Sequence, residues 1–161
     1  MQLARTLGTV LAQRQITVVY GGGRVGLMGA LADSALAAGG RVIGVIPQML
    51  LDREVGHAGL SQLHVVSTMS ERKQLMSDLA DAYLVLPGGI GTMDELFEAW
   101  TWTQLGLQQK LCGLLNFSGY YDALLAFIEH AVREGFLKPH FRDTLVVDTD
   151  VARLLDRLTP R

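Results

Sequence analysis

Short apolar segments alternate with helical segments along almost the whole chain. The apolar segments are rich in β-branched residues, and one of them, residues 82–86, is apolar on both faces, as a sheet covered by helices on both sides requires. This alternation predicts an α/β fold with mainly parallel strands. The predicted strands are residues 16–20, 41–46, 63–66, 82–86, 110–115 and 144–147, and the predicted helices lie near residues 2–14, 27–38, 71–80, 93–105, 120–134 and 151–158.

Composition narrows the class of protein. With 161 residues, 49% of them hydrophobic, the chain is predicted to form one domain over residues 1–161. A net charge of −2 gives no basic face for nucleic acid. No apolar run is long enough for a membrane span, and no leader pattern opens the chain. The single Cys112 and the spacing of the four histidines predict no disulfide and no metal, so a reducing cytoplasm is expected.

A first glycine-rich turn joins a predicted strand to a predicted helix. Gly21, Gly23 and Gly26 satisfy GxGxxG, and glycines there let backbone N–H groups approach an anion at the helix N-terminus. A dinucleotide site also expects an acid at the end of the following strand, but residues 41–46 end without one and the next acid is Asp52. NAD is therefore disfavoured, and a purely structural turn stays open as an alternative.

A second glycine-rich turn reads Pro87-Gly88-Gly89-Ile90-Gly91-Thr92. It is not a Walker A loop, because no Gly-Lys-Ser/Thr follows. Thr92 and Glu95 have the spacing of a capping box, which predicts Thr92 as N-cap with Glu95 reaching back to it. The same carboxylate beside a glycine-lined turn is also suited to chemistry, so both roles remain open.

A third segment places two cations in the first turn of a helix. Thr68 or Ser70 is the expected N-cap, and Glu71 suits the positive end of the helix dipole. Arg72 and Lys73 oppose that dipole, which favours an anionic partner nearby. The alternative is solvated surface charge.

Together these segments resemble the LONELY GUY (LOG) family of cytokinin riboside 5′-monophosphate phosphoribohydrolases. The resemblance rests on Val19 to Gly23 with Gly26 to Gly29, on Glu71-Arg72-Lys73, and on Pro87-Gly88-Gly89-x-Gly91-Thr92-x-x-Glu95, and it extends over Trp102-x-Gln104-Leu105-Gly106 and Gly113 to Asn116. It implies a Rossmann-like, doubly wound sheet of mainly parallel strands flanked by helices. The family begins with a strand and a Gly/Ser-containing loop, to which nothing here corresponds, so the first strand is expected to be missing.

The resemblance also implies a function. The expected reaction is hydrolysis of the N-glycosidic bond of an adenine-type nucleoside 5′-monophosphate, with AMP as a further candidate substrate, releasing free base and ribose 5-phosphate without a cofactor. Family members usually act as dimers, so a homodimer is expected. Many relatives have histidine where Ser70 stands, so a contact made by that histidine is absent or replaced here. The implied catalytic residues are Arg72 and Glu95, and the implied substrate-binding residues are Gly22, Gly23, Glu54, Lys73, Gly88, Gly89, Gly91 and Thr92.

The sequence leaves open two other functions and the location of a subunit interface. A non-enzymatic nucleotide-binding or carrier protein is the main rival, against which the Arg72 and Glu95 pair argues. Lysine decarboxylase, a label often attached to the family, needs pyridoxal phosphate on a dedicated lysine. Phe97, Trp100 and Trp102 suit either a subunit interface or the core. The available lysines, Lys73, Lys110 and Lys138, are better explained as an anion contact, a strand start and a loop residue.

Overall fold

Six strands form two parallel three-stranded sheets in the computed structural model, which describes residues 1–53 and 56–159. The chain divides into two compact units, Met1–Ala80 and Asp81–Arg161, and each unit contains one of the sheets. The strand order is sequential within each sheet. All the strand pairs are parallel, which requires each connection to return the chain to the same end of the sheet. Whether residues 1–161 act as one domain stays a prediction.

The sheet of the first unit is built around β2. Strands β1 (Val18–Tyr20) and β3 (Gln62–Val66) pair with opposite sides of β2 (Val42–Pro47). All six residues of β2 are buried, as a central strand with apolar side chains on both faces should be. The β3 strand forms an edge and is largely exposed.

Small residues let two helices of the first unit approach closely. Helix α1 (Gln2–Gln13) packs on α2 (Gly26–Ala37), which buries Ala30, Ala32 and Ala35. A Cβ added to Gly8 of α1 would stand 2.4 Å from the Leu31 carbonyl oxygen of α2. Larger side chains at these positions would force the helices apart. The unit also contains the short α3 (Gln48–Leu51) and α4 (Met69–Leu79).

The second unit repeats the pattern with its own core. Strand β5 (Cys112–Leu115) lies between β4 (Tyr83–Val85) and β6 (Leu145–Asp148), and it is wholly buried. Leu96, Trp100, Leu114, Tyr121, Ile128 and Leu145 belong to one buried cluster. The helices are α5 (Ile90–Gln104), α6 (Asp122–Arg133), α7 (Pro139–Arg142) and α8 (Val151–Leu158), with a 3₁₀ turn at Phe117–Gly119.

The α/β fold, the parallel strands and the six predicted helices are confirmed, with most ends within two residues. No helix was predicted between the strands at residues 41–46 and 63–66, and α3 lies in that segment. The largest shift concerns α5, which begins at Ile90 instead of Met93. Within residues 1–53 and 56–159, no helix combines the length and apolarity that a membrane crossing demands.

Candidate functional site

The first glycine turn follows β1, and buried protein groups hold its backbone in place. Gly21, Gly22 and Gly23 are all buried, and Gly22 has φ +75°, which a side chain would strain. The Tyr20 hydroxyl donates to the Gly23 carbonyl at 3.2 Å. Burial, followed by the charge of Asp33, raises the pKa of Tyr20 to about 12, so this hydroxyl stays a donor at physiological pH. The turn therefore has a fixed backbone.

Arg72 links this turn to the sheet through hydrogen bonds to the backbone of both. It is 8% exposed, and its Nε donates to the Val45 carbonyl at 3.2 Å while Nη2 donates to the Gly21 carbonyl at 3.1 Å. A Cβ on Gly21 would stand 1.7 Å from Nη2, so a glycine at 21 is what admits the guanidinium. The reading of Arg72 as solvated surface charge is wrong. A cation this close to the glycine turn can also attract an anionic ligand.

The start of α4 follows the sequence rules for caps. Thr68 is the N-cap, and its hydroxyl accepts the Glu71 N–H at 3.1 Å, while the Glu71 carboxylate accepts the Ser67 N–H at 2.8 Å. Thr68, not Ser70, is therefore the cap of this helix. Lys73 follows Arg72 on α4 and is half-buried.

His57, in the segment after α3, also supports the first glycine turn, and sequence analysis assigned it no role. Its backbone N–H donates to the Gly22 carbonyl at 3.1 Å, and Gly23 forms a bridge with Gly56. Its Nδ1 accepts the Gly59 N–H at 3.1 Å, which leaves Nε2 as the protonated nitrogen that donates to Asp33 Oδ1 at 2.8 Å. The ring is 8% exposed. No metal-ligand spacing surrounds His57, so the sequence offered no signal.

The second glycine turn leads directly into α5, whose N-cap is Gly89. The predicted capping box is wrong: Thr92 lies within the first turn of the helix, and no side chain caps it. The Gly89 carbonyl accepts the Met93 N–H at 3.1 Å, so the helical hydrogen bonds begin three residues earlier than predicted. Glu95 consequently lies in the second turn of α5 and is half-buried.

The glycines of this turn differ in their surroundings. A Cβ on Gly88 would stand 2.1 Å from Thr92 Oγ1, so Thr92 packs directly over Gly88. Gly89 and Gly91 are exposed, and a Cβ on either would have no atom within 4 Å. Protein packing therefore requires glycine at 88 but leaves open space at 89 and 91. The first N–H groups of a helix are unpaired within it and favour an anion.

Two adjacent tyrosines hold the carbonyls of this turn. Tyr120 Oη donates to the Gly88 carbonyl at 2.8 Å, and Tyr121 Oη donates to the Leu86 carbonyl at 2.5 Å. Burial, then the neighbouring Tyr120, raises the pKa of Tyr121 to about 12. Sequence analysis used Tyr120 only as a helix start, because contacts across 32 residues leave no local pattern.

The structure divides the predicted site residues between the two units. Gly22, Gly23, Arg72 and Lys73 belong to the first, where Arg72 contacts the same turn. Glu54 lies outside the described residues. Gly88, Gly89, Gly91, Thr92 and Glu95 belong to the second, all at the start of α5. Across residues 1–53 and 56–159, no group of three or more His, Cys, Asp or Glu side chains is arranged to hold a metal ion.

Of the three aromatic residues considered for an interface, Trp100 is part of the core. It is 7% exposed, and its Nε1 donates to Thr144 Oγ1 at 2.9 Å and to the Phe141 carbonyl at 3.2 Å. Phe97 is 37% exposed, and Trp102 is half-buried. Both line one face of α5 with Ile90 and Met93, around a groove of about 600 Å³.

Known proteins resemble this chain in sequence and in fold. Residues 28–158 match a family model described as "Possible lysine decarboxylase". A cytokinin riboside 5′-monophosphate phosphoribohydrolase of Rhodococcoides fascians is 50% identical over 151 residues, which cover 93% of this chain and 76% of that protein. One from Arabidopsis thaliana is 45% identical over 152 residues, covering 94% and 71%.

Among solved structures, a molybdenum cofactor binding protein from Rippkaea orientalis superimposes with a TM-score of 0.71 at 19% identity, covering 97% of this chain and 83% of that one. At that identity the likeness concerns the fold alone.

Proposed function

This chain belongs to the LONELY GUY (LOG) family of cytokinin riboside 5′-monophosphate phosphoribohydrolases, and from that premise we propose how its residues carry out the reaction. The reaction is hydrolysis of the N-glycosidic bond of an adenine-type nucleoside 5′-monophosphate. Water replaces the base at the anomeric carbon, and free base and ribose 5-phosphate are released. The observation that best carries the site assignment is the open space over Gly89 and Gly91, at the exposed N-terminus of α5.

Cleavage of this bond separates charge. The ribose becomes positive as the bond lengthens, while the departing adenine becomes negative. Groups that stabilise both charges only in the transition state accelerate the reaction. A carboxylate near the sugar and a cation near an anionic group meet these two demands.

Glu95 is the residue we assign to the sugar. Its carboxylate would stabilise the developing oxocarbenium ion and orient or deprotonate the attacking water. Glu95 lies in the second turn of α5, close to the glycine turn that leads into this helix.

Arg72 is the residue we assign to an anionic part of the substrate, either the phosphate or the departing base. Two of its nitrogens donate to the Val45 and Gly21 carbonyls, which fixes the plane of the guanidinium. Its Nη1 contacts the Met69 sulfur at 3.8 Å, a weak partner that a ligand oxygen can replace. A pre-oriented cation loses little conformational entropy when the ligand binds.

The remaining assignments concern substrate binding. Backbone N–H groups of the two glycine turns approach anions closely, because no Cβ stands in the way. We assign each turn, within its own unit, to binding of a phosphate or ribose group of the substrate. The residues are Gly22, Gly23, Lys73, Gly88, Gly89, Gly91 and Thr92, together with Glu54.

The alternatives fit less well. A lysine decarboxylase needs a lysine for pyridoxal phosphate, but Lys73 follows the buried Arg72 on α4 and Lys138 caps the short α7. Lys110 was predicted to start a strand, and it lies two residues before β5. A carrier of nucleotide has no use for a carboxylate next to the glycine turn, whereas hydrolysis requires one.

We also propose a homodimer that uses the α5 face. Ile90 is 90% exposed and Phe97 37% exposed, and with Met93 and Trp102 they form an apolar stripe at helical spacing. Phe97→Asp should shift the protein from dimer to monomer in light scattering, whereas Phe136→Asp, which changes a phenylalanine that is 88% exposed outside this stripe, should not. A monomeric wild type would contradict the proposal.

The cytoplasm is the compartment we propose, because the chain's one cysteine is a buried free thiol. Fractionation of cells that express the tagged protein tests this.

The deciding experiment is chromatography of the protein incubated with AMP and with isopentenyladenosine 5′-monophosphate. Wild type should release free base and ribose 5-phosphate. Glu95→Gln keeps the shape of the side chain but removes its charge, so turnover should fall at least about a hundredfold. Glu134→Gln makes the same change on an exposed residue just after α6 and should keep full turnover.

Binding separates the hydrolase from the carrier. Bound nucleotide with no base release, and equal affinity in Glu95→Gln, would support a carrier. Arg72→Lys is a better probe than Arg72→Ala, because the alanine variant leaves the buried Gly21 and Val45 carbonyls without their donor and loses stability as well as activity. Lysine keeps the positive charge but not the planar guanidinium. Full turnover in Arg72→Lys would therefore contradict the role assigned to the oriented guanidinium.

A further inference from the structure

The second glycine turn is fixed by two hydroxyls that reach its backbone from the loop after β5. Tyr120 Oη donates to the Gly88 carbonyl and Tyr121 Oη to the Leu86 carbonyl, at 2.8 and 2.5 Å. The rings stack edge to face with centroids 4.9 Å apart. The two tyrosines thus form one brace on one side of the turn.

The brace is itself rigid. Asn116 is buried, its Oδ1 accepts the Tyr121 N–H at 2.8 Å, and its Nδ2 donates to Asp122 Oδ1 at 2.7 Å. The Tyr121 ring is 3% exposed, within the core of the second unit. The Tyr120 ring contacts the Tyr121 ring edge to face, and Tyr120 is itself 55% exposed. One tyrosine is anchored in the core, and the other lies at the surface.

The two carbonyls have different consequences for the turn. In a trans peptide the C=O and the following N–H point in opposite directions. The peptide after Leu86 leads into Pro87, which has no N–H to present. The peptide after Gly88 leads into Gly89, so a carbonyl held by Tyr120 turns the Gly89 N–H to the side away from the tyrosine. Only the Tyr120 contact therefore orients a donor that a ligand can use.

We propose that Tyr120 is a positioning residue for the substrate phosphate: by holding the Gly88 carbonyl, it directs the Gly89 N–H, at the N-cap of α5, toward the phosphate. This inference rests on the proposed function. Tyr121 holds the Leu86 carbonyl and also meets the Gly88 backbone, so the donor it engages is already used inside the protein; we assign it to stability and not to phosphate binding. Adjacent residues of the same type thus have separable roles.

The test compares Tyr120→Phe with Tyr121→Phe, each of which removes one hydroxyl and keeps the ring. In Tyr120→Phe the KM for AMP should rise about three- to tenfold, because a charge-assisted hydrogen bond is weakened, while kcat changes less than about twofold. The inhibition constant of ribose 5-phosphate should rise by the same factor as KM. That of adenine, which has no phosphate, should stay unchanged. Thermal unfolding should shift by less than about 1 °C, since water can replace the exposed hydroxyl.

Tyr121→Phe should show the opposite pattern. The Leu86 carbonyl loses its buried donor, so the unfolding midpoint should fall by roughly 3–6 °C with little change in ribose 5-phosphate inhibition. Unchanged KM and ribose 5-phosphate inhibition in Tyr120→Phe would overturn the proposal. An equal weakening of adenine inhibition would also overturn it, because the whole site would then be disturbed.

Failure of the proposed function gives a different result. If wild type releases no base, the hydrolase assignment fails, and calorimetry with ribose 5-phosphate still tests Tyr120. Weaker binding in Tyr120→Phe than in wild type would support the positioning role. Equal binding, or no binding to wild type, would overturn it.

Discussion

Gly21→Ala tests the packing on which Arg72 depends. The three atoms nearest to the added methyl all belong to the Arg72 guanidinium: Nη2 at 1.7 Å, Cζ at 2.9 Å and Nε at 3.4 Å. Carbon and nitrogen need about 3.5 Å, so the side chain must swing away by more than about 1.5 Å. That movement breaks its hydrogen bonds to the Val45 and Gly21 carbonyls, which lie inside the fold.

The expected cost follows from those two bonds. A hydrogen bond to a charged group contributes about 1.5–3 kcal/mol, so the loss of both in Gly21→Ala should lower the free energy of unfolding by roughly 3–6 kcal/mol. Urea denaturation followed by far-ultraviolet circular dichroism, which reports on the helices of both units, measures this. Gly59→Ala is the matched control, because its Cβ would meet only ordinary contacts with His57, the nearest at 3.4 Å, and it should change stability by less than about 1 kcal/mol.

Making the same change in an Arg72→Ala variant tests whether the loss of stability comes from the clash with Arg72. In Arg72→Ala the guanidinium is absent, so adding Gly21→Ala should cost less than about 1 kcal/mol more. Base release by Gly21→Ala should fall to about the level of Arg72→Ala, since both variants remove the cation from its place. Equal costs of Gly21→Ala in both backgrounds, or full turnover in the single variant, would refute the reasoning.

Three further predictions concern other parts of the chain. His57→Ala should lower the free energy of unfolding by about 1–3 kcal/mol in urea denaturation, because the ring is buried. Asp33→Ala, whose side chain is 69% exposed, should cost less than about 1 kcal/mol, and the reverse order would contradict the supporting role of His57. Burial raises the pKa of the Cys112 thiol to about 12, so iodoacetamide at pH 8 should label it only in denaturant, and rapid native labelling would disprove its burial. The hydrogen bond from Arg153 lowers the pKa of Asp148, so this carboxylate stabilises the fold above its unfolded pKa of about 3.9 and the contribution is lost as pH falls through the lower folded value. Asp148→Asn should therefore flatten the loss of stability below about pH 4, and an unchanged acid profile would count against the pair.

The order of helices and strands could be predicted because it depends on local patterns. Apolar runs such as β2 and β5 specify buried strands, and the Thr68 cap of α4 depends on residues three positions apart. The same cap rule failed at Thr92. There the backbone enters the helix at Gly89 without a capping side chain, and the rule had no means of detecting an earlier start.

The motifs likewise indicated which residues to examine but not their surroundings. Arg72 was expected to face an anion at a helix start, and its contacts with carbonyls 27 and 51 residues away make it a buried tie as well. Trp100 suited core or interface equally until its bonds to Thr144 and Phe141 placed it in the core. His57 and Tyr120 carried no motif at all.

The sequence by itself determined the α/β class, the order of its elements and the residue types of the two glycine turns, because backbone propensity and hydrophobic period are properties of neighbouring residues. Only the tertiary structure decided what holds those turns in place. The supports of the first are Arg72 and His57, and those of the second are Tyr120 and Tyr121, each acting across a long separation in the chain. Hydrogen bonds of this kind depend on how elements pack, and packing leaves no fixed spacing in the sequence.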